Sequence, residues 1–226
     1  MIEVLTINYN TPELTELAVR SVQKFTPDCS VTVFDNSDRR PMKPMPGVRL
    51  IDNTKGSLID FQALLDSYTD KIFQTNRWGS AKHAKTVDFC MDIFPNGFVL
   101  MDSDVIMKRD ITALMDKSCV WVGEVQNMIH RQQYAVLRVL PILCSINVPM
   151  IRKHGIRYFD GLRCWKLTTA IPQRWYDTGA SFYEDTVFLP HREIRLRDYC
   201  EHLHNGSWSD KDIFPWLEKG KHLLSS

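Results

Sequence analysis

The stretch Gly97-Phe98-Val99-Leu100-Met101-Asp102-Ser103-Asp104 constrains this chain more than any other. Four consecutive apolar residues predict a buried strand, and two carboxylates one residue apart follow where that strand should end. Ligands of open α/β sheets bind just beyond the carboxyl ends of strands. In an extended segment the side chains at i and i+2 point to the same side. Asp102 and Asp104 can therefore converge on one hard cation, to which a diphosphate would add further oxygens. An Asp-x-Asp triplet is a weak signal without its strand. A second one, Asp210-Lys211-Asp212, follows Gly206-Ser207-Trp208-Ser209 and reads as a solvated helix start.

The residues upstream predict strands alternating with helices. Ile2–Ile7 reads as a strand with Asn8-Tyr9-Asn10 as its exit loop. Thr11 suits an N-cap and Pro12 the first helical position. Leu14, Leu17, Ala18, Ser21, Val22 and Phe25 then form one apolar helical stripe that Pro27 stops. Val31–Phe34 is a second strand, ending in Asp35-Asn36-Ser37. Residues 38–47, with three prolines and two adjacent arginines, form a loop. Val48–Ile51 is a short strand, Leu58–Tyr68 a helix, and Ser80–Phe94 a helix whose first turn carries Lys82, His83 and Lys85. Exposed cations there oppose the helix dipole by about 0.3–1 kcal/mol each, and a bound anion would reverse that sign.

Such alternation predicts a doubly wound, mostly parallel sheet with helices on both faces over about residues 1–116. Beyond it, Cys119–Val125, Tyr134–Leu140 and Ser145–Met150 read as strands without long helices between them. A mixed or antiparallel acceptor-binding half over about 117–208 follows, then a tail, 209–226. No composition break separates them, so the expectation is one domain.

Composition narrows the partners. The chain has 226 residues, 44% of them apolar, and a net charge of +1, enough to bury a sizeable core but not to bind nucleic acid by charge alone. Six scattered cysteines without a Cys-x-x-Cys pair suggest reduced, buried thiols of a cytoplasmic protein. No signal peptide is visible, and the apolar tract from Tyr134 to Ile151 is interrupted by Arg138, Pro141 and Pro149. Peripheral contact at the inner face of a membrane is the most that is expected, through Ile213-Phe214-Pro215-Trp216-Leu217 and its neighbouring cations. A terminal helix packing Phe214 and Leu217 explains that segment more simply.

Taken in order, Thr6-Ile7-Asn8-Tyr9-Asn10-Thr11, Val33-Phe34-Asp35-Asn36-Ser37, the basic helix start, Asp102-Ser103-Asp104, Glu184-Asp185 and His202-Leu203-His204-Asn205-Gly206-Ser207-Trp208 resemble the GT-A glycosyltransferases. The likeness is greatest to the large inverting family 2 of bacterial surface-polysaccharide enzymes and spans roughly residues 2–208. It implies a GT-A fold and transfer of one sugar from a nucleotide-diphosphate donor, UDP more than GDP or dTDP, to a carbohydrate or lipid-linked glycan acceptor. Thr6, Asn8 and Asp35 would border the nucleotide, with Asp35 accepting from a base N–H, while Ser80, Lys82 and His83 would approach ribose or phosphate. Asp102 would lie near ribose or metal, Asp104 would ligate Mn²⁺ or Mg²⁺, and His202 or His204 would complete the coordination. An imidazole ligand favours Mn²⁺. The acidic pair would supply the general base, Asp185 with Glu184 beside it, with Asp177 in reserve and Trp175 and Asp177 near the sugars.

Two departures qualify the resemblance. Gln173-Arg174-Trp175 lacks the spacing of the processive-synthase signature and precedes the acidic pair. The Gly-Ser-Trp after the histidines also loosely resembles retaining GT-A enzymes, so a retaining transferase stays open, as does a non-catalytic glycan- or nucleotide-binding relative. A nucleotidyltransferase is disfavoured, because Asn8-Tyr9-Asn10-Thr11-Pro12 stands where a Gly-rich loop would be.

Overall fold

The computed structural model describes residues 1–67, 78–126, 134–135, 137–161, 163, 174–203 and 213–225, with the side chains of 78, 134, 135, 174 and 175 left aside. Seven strands make the main sheet: β1 (Ile2–Asn8), β2 (Cys29–Asp35), β3 (Val48–Asp52), β4 (Phe98–Met101), β6 (Trp121–Gly123), β10 (Leu143–Ile146) and β12 (Arg192–Glu193). Between and after them lie β5 (Val105–Met107), β7 (Val125–Gln126), β8 (Tyr134–Ala135), β9 (Arg138–Val139), β11 (Arg174–Trp175) and β13 (Cys200–His202), which pair off in three two-stranded ribbons. The helices are α1 (Pro12–Phe25), α2 (Phe61–Asp66), α3 (Trp78–Ile93), α4 (Val148–Lys153), α5 (Ala180–Thr186) and α6 (Phe214–Ser225).

The order across the sheet is β12-β6-β10-β4-β1-β2-β3. Strands β3, β2, β1 and β4 are parallel, and β10 runs antiparallel between β4 and β6. Both sequence halves thus share one sheet. The chain leaves β1 for β2 and β3 on one side and returns to β4 on the other. This switch point opens a crevice at the carboxyl ends of β1 and β4.

Alternation along the strands builds two cores. Leu5, Ile7, Phe34, Phe98 and Leu100 meet Ala84, Val87, Cys90, Met91 and Phe94 of α3 on one face. Val4, Val31, Val33, Val99 and Met101 meet Ala18, Val19 and Val22 of α1 on the other. At about 1.5–3 kcal/mol for each large apolar side chain fully buried, these two layers are the main stabilising force.

Several expected boundaries move, for identifiable reasons. Thr11 precedes α1 but makes no side-chain cap; Asn8 does the work, its Oδ1 accepting from Thr11 N at 3.3 Å and Thr15 Oγ1 at 2.8 Å. The expected strand Ser145–Met150 stops at Ile146, because Asn147 caps Met150 N and Pro149 sits in the first turn of α4. The run Cys119–Val125 breaks at Glu124 into β6 and β7, which belong to different sheets, and Tyr134–Leu140 likewise gives only two short strands. Helix α2 starts at Phe61, where Asp60 accepts from Ala63 N, and α3 starts at Trp78, two residues before the expected Ser80. Lys82, His83 and Lys85 consequently lie about half a turn deeper in α3 than expected.

In the tail, Phe214 is 63% exposed and Leu217 half-buried. Gly220 is what fits α6 against α1: a Cβ there would lie 2.3 Å from Leu17 Cδ1. Gly220→Ala should therefore lower the urea midpoint by the equivalent of about 1–3 kcal/mol, the usual range for overpacking. An unchanged midpoint would mean that α6 is not seated there. Among the described residues no helix is long and apolar enough to cross a membrane. Five of the six cysteines are free thiols, four of them buried; Cys164 lies outside the described residues.

Candidate functional site

At the crevice, β4 ends in Met101, and Asp102–Asp104 form a turn before β5 begins. The turn is held on one side by Asp102 N donating to Ile142 O at 2.9 Å, which continues the β4–β10 ladder. On the other side α1 fixes β5, with Ser21 Oγ accepting from Met107 N at 2.9 Å and Thr26 Oγ1 accepting from Ile111 N at 3.2 Å. Strand β13 then pairs antiparallel with β5, matching Cys200 to Met107, Glu201 to Ile106 and His202 to Val105. Leu203 N donating to Asp104 O at 3.0 Å extends the ladder by one bond. This register carries His202 to the acidic turn. A slip of one residue would turn the imidazole to the opposite side.

Asp102, Asp104 and His202 can each offer one ligand atom, all within 4.8 Å of one another. His202 Nε2 lies 3.1 Å from Asp104 Oδ1, and Asp104 is almost completely buried. Two carboxylates and one imidazole suit a first-row divalent cation, leaving positions for diphosphate oxygens or water. Burial pulls the His202 imidazole down, but the hydrogen bond and charge of Asp104, with the charge of Asp102, outweigh it and raise it above its ordinary value. Burial pushes the Asp102 carboxyl up, but the His83 hydrogen bond and the charges of His83, His202 and Arg138 hold it below the usual carboxylate range.

His83 was expected to approach ribose or phosphate. It stands with Nε2 3.4 Å from Asp102 Oδ1, while its Nδ1 is buried without a hydrogen-bond partner. It orients one member of the cluster from the neighbouring helix. Lys82 donates to Tyr9 Oη at 3.2 Å and lies over the Tyr9 and Phe61 rings, so its ammonium is held at the mouth of the crevice. Ser80 donates to Asp177 Oδ1 at 2.8 Å. Asp177 also accepts from Thr178 N at 2.7 Å and from Arg138 Nη1 at 2.5 Å, and Gln126 Oε1 holds the other side of that guanidinium. The sequence reading assigned neither Arg138 nor Gln126 a role at the site; no local pattern marks Arg138 and Asp177, which are 39 residues apart.

The residues at the ends of β1 and β2 turn inward. Asp35 is 1% exposed, and Oδ1 accepts from Asn8 Nδ2 at 2.9 Å, Ser37 N at 3.0 Å and Ser37 Oγ at 2.6 Å. Its Oδ2 accepts from Met42 N at 2.6 Å. With four protein donors on one buried carboxylate, Asp35 holds the loop after β2 rather than offering an open acceptor to a base. Asn8 is equally engaged, and the Thr6 hydroxyl is buried under α1 with no partner. Asn36, with Asn53 and Thr86 that the sequence reading did not name, ties that loop to β3 and α3: Asn36 Nδ2 donates to Thr86 Oγ1 at 2.8 Å and Asn53 Nδ2 to Asn36 Oδ1 at 2.9 Å.

The acidic pair faces a guanidinium. Asp185 is gripped by both ends of Arg163, Nη1 to Oδ1 at 2.8 Å and Nη2 to Oδ2, and Arg163 Nε donates to Asp160 Oδ2 at 2.6 Å. Glu184 accepts from Tyr176 Oη at 2.8 Å and lies 3.4 Å from Arg163 Nη1. Asp185 lines a cavity of about 660 Å³ whose wall includes none of Asp102, Asp104, His202 or Asp177. His204, Asp210 and Asp212 lie outside the described residues, as does the side chain of Trp175.

No protein-family model and no curated protein matches the chain. Solved structures do. The galactosyltransferase LgtC in complex with donor and acceptor sugar analogs superposes with a TM-score of 0.54 at 13% identity, over 87% of this chain and 74% of that one. An active-site mutant of LgtC gives 0.55 at 12% identity over the same shares. The bifunctional glycosyltransferase WbbM, without ligand, gives 0.52 at 10% identity, over 86% of this chain and 39% of its own. Identities this low speak to architecture alone: the chain has the mostly parallel α/β fold of GT-A glycosyltransferases.

Proposed function

We propose that the chain is a metal-dependent glycosyltransferase that moves one sugar from a nucleotide-diphosphate donor to a carbohydrate or lipid-linked glycan. The observation that carries this reading is the meeting of Asp102, Asp104 and His202 at the switch-point crevice of a GT-A fold. These three residues would hold Mn²⁺ in preference to Mg²⁺, since imidazole is the softer donor, with His83 orienting Asp102. When bound, the ion would supply Lewis-acid stabilisation of the charge that builds on the departing diphosphate. Lys82 would add a cation beside those phosphates. Asn8 and Asp35 would shape the nucleotide pocket through the loop they fix, and Asp177, oriented by Ser80 and Arg138, would meet the sugar.

For inversion, an acceptor hydroxyl must attack directly while a carboxylate takes its proton. Asp185 is the candidate because it opens on a cavity. One observation favours retention instead: both Asp185 oxygens face the Arg163 guanidinium, which weakens them as proton acceptors. Incubation with UDP-, GDP- and dTDP-sugars and Mn²⁺ should give donor hydrolysis or transfer, and the anomeric coupling of the product by proton NMR separates inversion from retention. Folded protein that neither binds nor hydrolyses any of these donors would refute the proposal.

Mn²⁺ binding should depend on pH with a definite sign. The metal needs a neutral imidazole and ionised carboxylates. The His202 value is raised above its ordinary 6.5, so the proton begins to compete at higher pH than for a free histidine. Affinity should fall by about tenfold per pH unit once His202 is protonated and level off on the alkaline side. Isothermal titration across that range checks it; affinity that rises on acidification would contradict the ligand set.

A further inference from the structure

We infer that Lys219 on α6 is a positioning residue for the metal cluster: by pairing with Glu201 it fixes the register of β13, and so the place of His202. The inference deepens the ligand assignment proposed above and rests on it. Strand β13 has three residues and, among the described residues, pairs with β5 alone. A two-stranded pair that short specifies its register weakly. A slip of one residue would nevertheless turn the His202 imidazole away from Asp104.

Adjacent residues of a strand point to opposite sides. His202 faces the acidic turn, with Nε2 3.1 Å from Asp104 Oδ1, while Glu201 faces α6 and accepts from Lys219 Nζ. The same ammonium lies 5.8 Å from the centre of the Trp216 ring on its own helix. Helix α6 is itself anchored. Gly220, next to Lys219, lets it lie against Leu17 of α1, and Lys24 near the end of α1 donates to Leu223 O at 2.6 Å. Helix α1 also holds β5, through Ser21 Oγ and Met107 N. The four elements α6, α1, β5 and β13 thus form a ring that the Lys219–Glu201 pair closes. With Lys219 54% and Glu201 36% exposed, that pair adds little stability. Its consequence is register, because the slip that turns His202 from Asp104 also turns Glu201 from Lys219.

The test measures Mn²⁺ affinity by electron paramagnetic resonance, and amide exchange of the metal-free full chain, in Lys219→Glu and in the charge-swapped double variant with Glu201→Lys. Lys219→Glu should bind Mn²⁺ about tenfold more weakly, the low end for an outer partner of a metal ligand, and melt close to the parent. Plain electrostatics has the opposite sign, since this substitution brings negative charge toward the cation. Lys219→Met, which only removes the pair, should lose about threefold. The double variant should recover most of the loss. The amides of Lys108 and Leu203, which donate to Tyr199 O and Asp104 O, should exchange faster in Lys219→Glu and return to the parental rate in the double variant. Lys219→Glu binding Mn²⁺ as tightly as the parent or more so, or a double variant as weak as the single, would overturn the inference. A parent that binds no Mn²⁺ would refute the ligand assignment instead. Exchange alone would then decide whether Lys219 sets the register, and unchanged rates would overturn it.

Discussion

Asp104→Asn should weaken Mn²⁺ binding at least 100-fold, by about the margin at which loss of even an outer-shell partner ranks as severe, while the protein stays folded. Asp104 is 2% exposed and 3.1 Å from His202, so it combines the burial and the charge that a cation site needs. Asparagine keeps the shape and one oxygen but removes the charge. The backbone bond from Leu203 N to Asp104 O, which secures β13, does not involve the side chain and should persist. Loss of the ion pair should change stability by about 1–3 kcal/mol at most. Electron paramagnetic resonance of free Mn²⁺ reads the affinity and thermal melting reads the fold. Parent-like affinity in a folded variant would remove Asp104 from the ligand set.

Gly179→Ala should be strongly destabilising, by about 3–4 kcal/mol from left-handed strain plus overpacking. Gly179 has φ +83°, and a Cβ there would lie 2.2 Å from Val139 O, a backbone atom that cannot swing aside. Relief requires moving either β9, which carries Arg138, or the turn that carries Asp177. The Arg138–Asp177 pair would be lost with it. Gly155→Ala is the matched comparison: its φ is +66° but nothing lies within 4 Å, so strain alone applies, about 1–2 kcal/mol. Urea unfolding of the two variants should differ by the clash. Equal destabilisation would show that the 177–180 turn is not pressed against β9.

The readable parts of the sequence were those where local pattern and tertiary role coincide. Strands β1, β2 and β4 carry buried residues on both faces, β4 is apolar throughout, and the Asp pair announced itself at its end. The preference for His202 over His204 rested on spacing; β13 lays His202 3.1 Å from Asp104, and His204 lies outside the described residues. The start of α4 was legible but overlooked: Asn147 followed by Pro149 is a cap and a first-turn proline. Other features had no local signal. His83 reaches Asp102 only because α3 packs beside β4, and Arg163 meets Asp185 across 22 residues. The family resemblance set Asp35 beside the base; its four internal donors become visible only when the loop to Met42 closes over it.

The central claim is that one divalent ion sits among Asp102, Asp104 and His202 and touches a nucleotide diphosphate. Crystals soaked with Mn²⁺ and UDP, measured at the manganese edge, test it most directly. The account predicts one anomalous peak at about 2.0–2.3 Å from an oxygen of each carboxylate and from His202 Nε2, with phosphate oxygens completing the shell. A peak elsewhere, or nucleotide density with no metal at the end of β4, would contradict it.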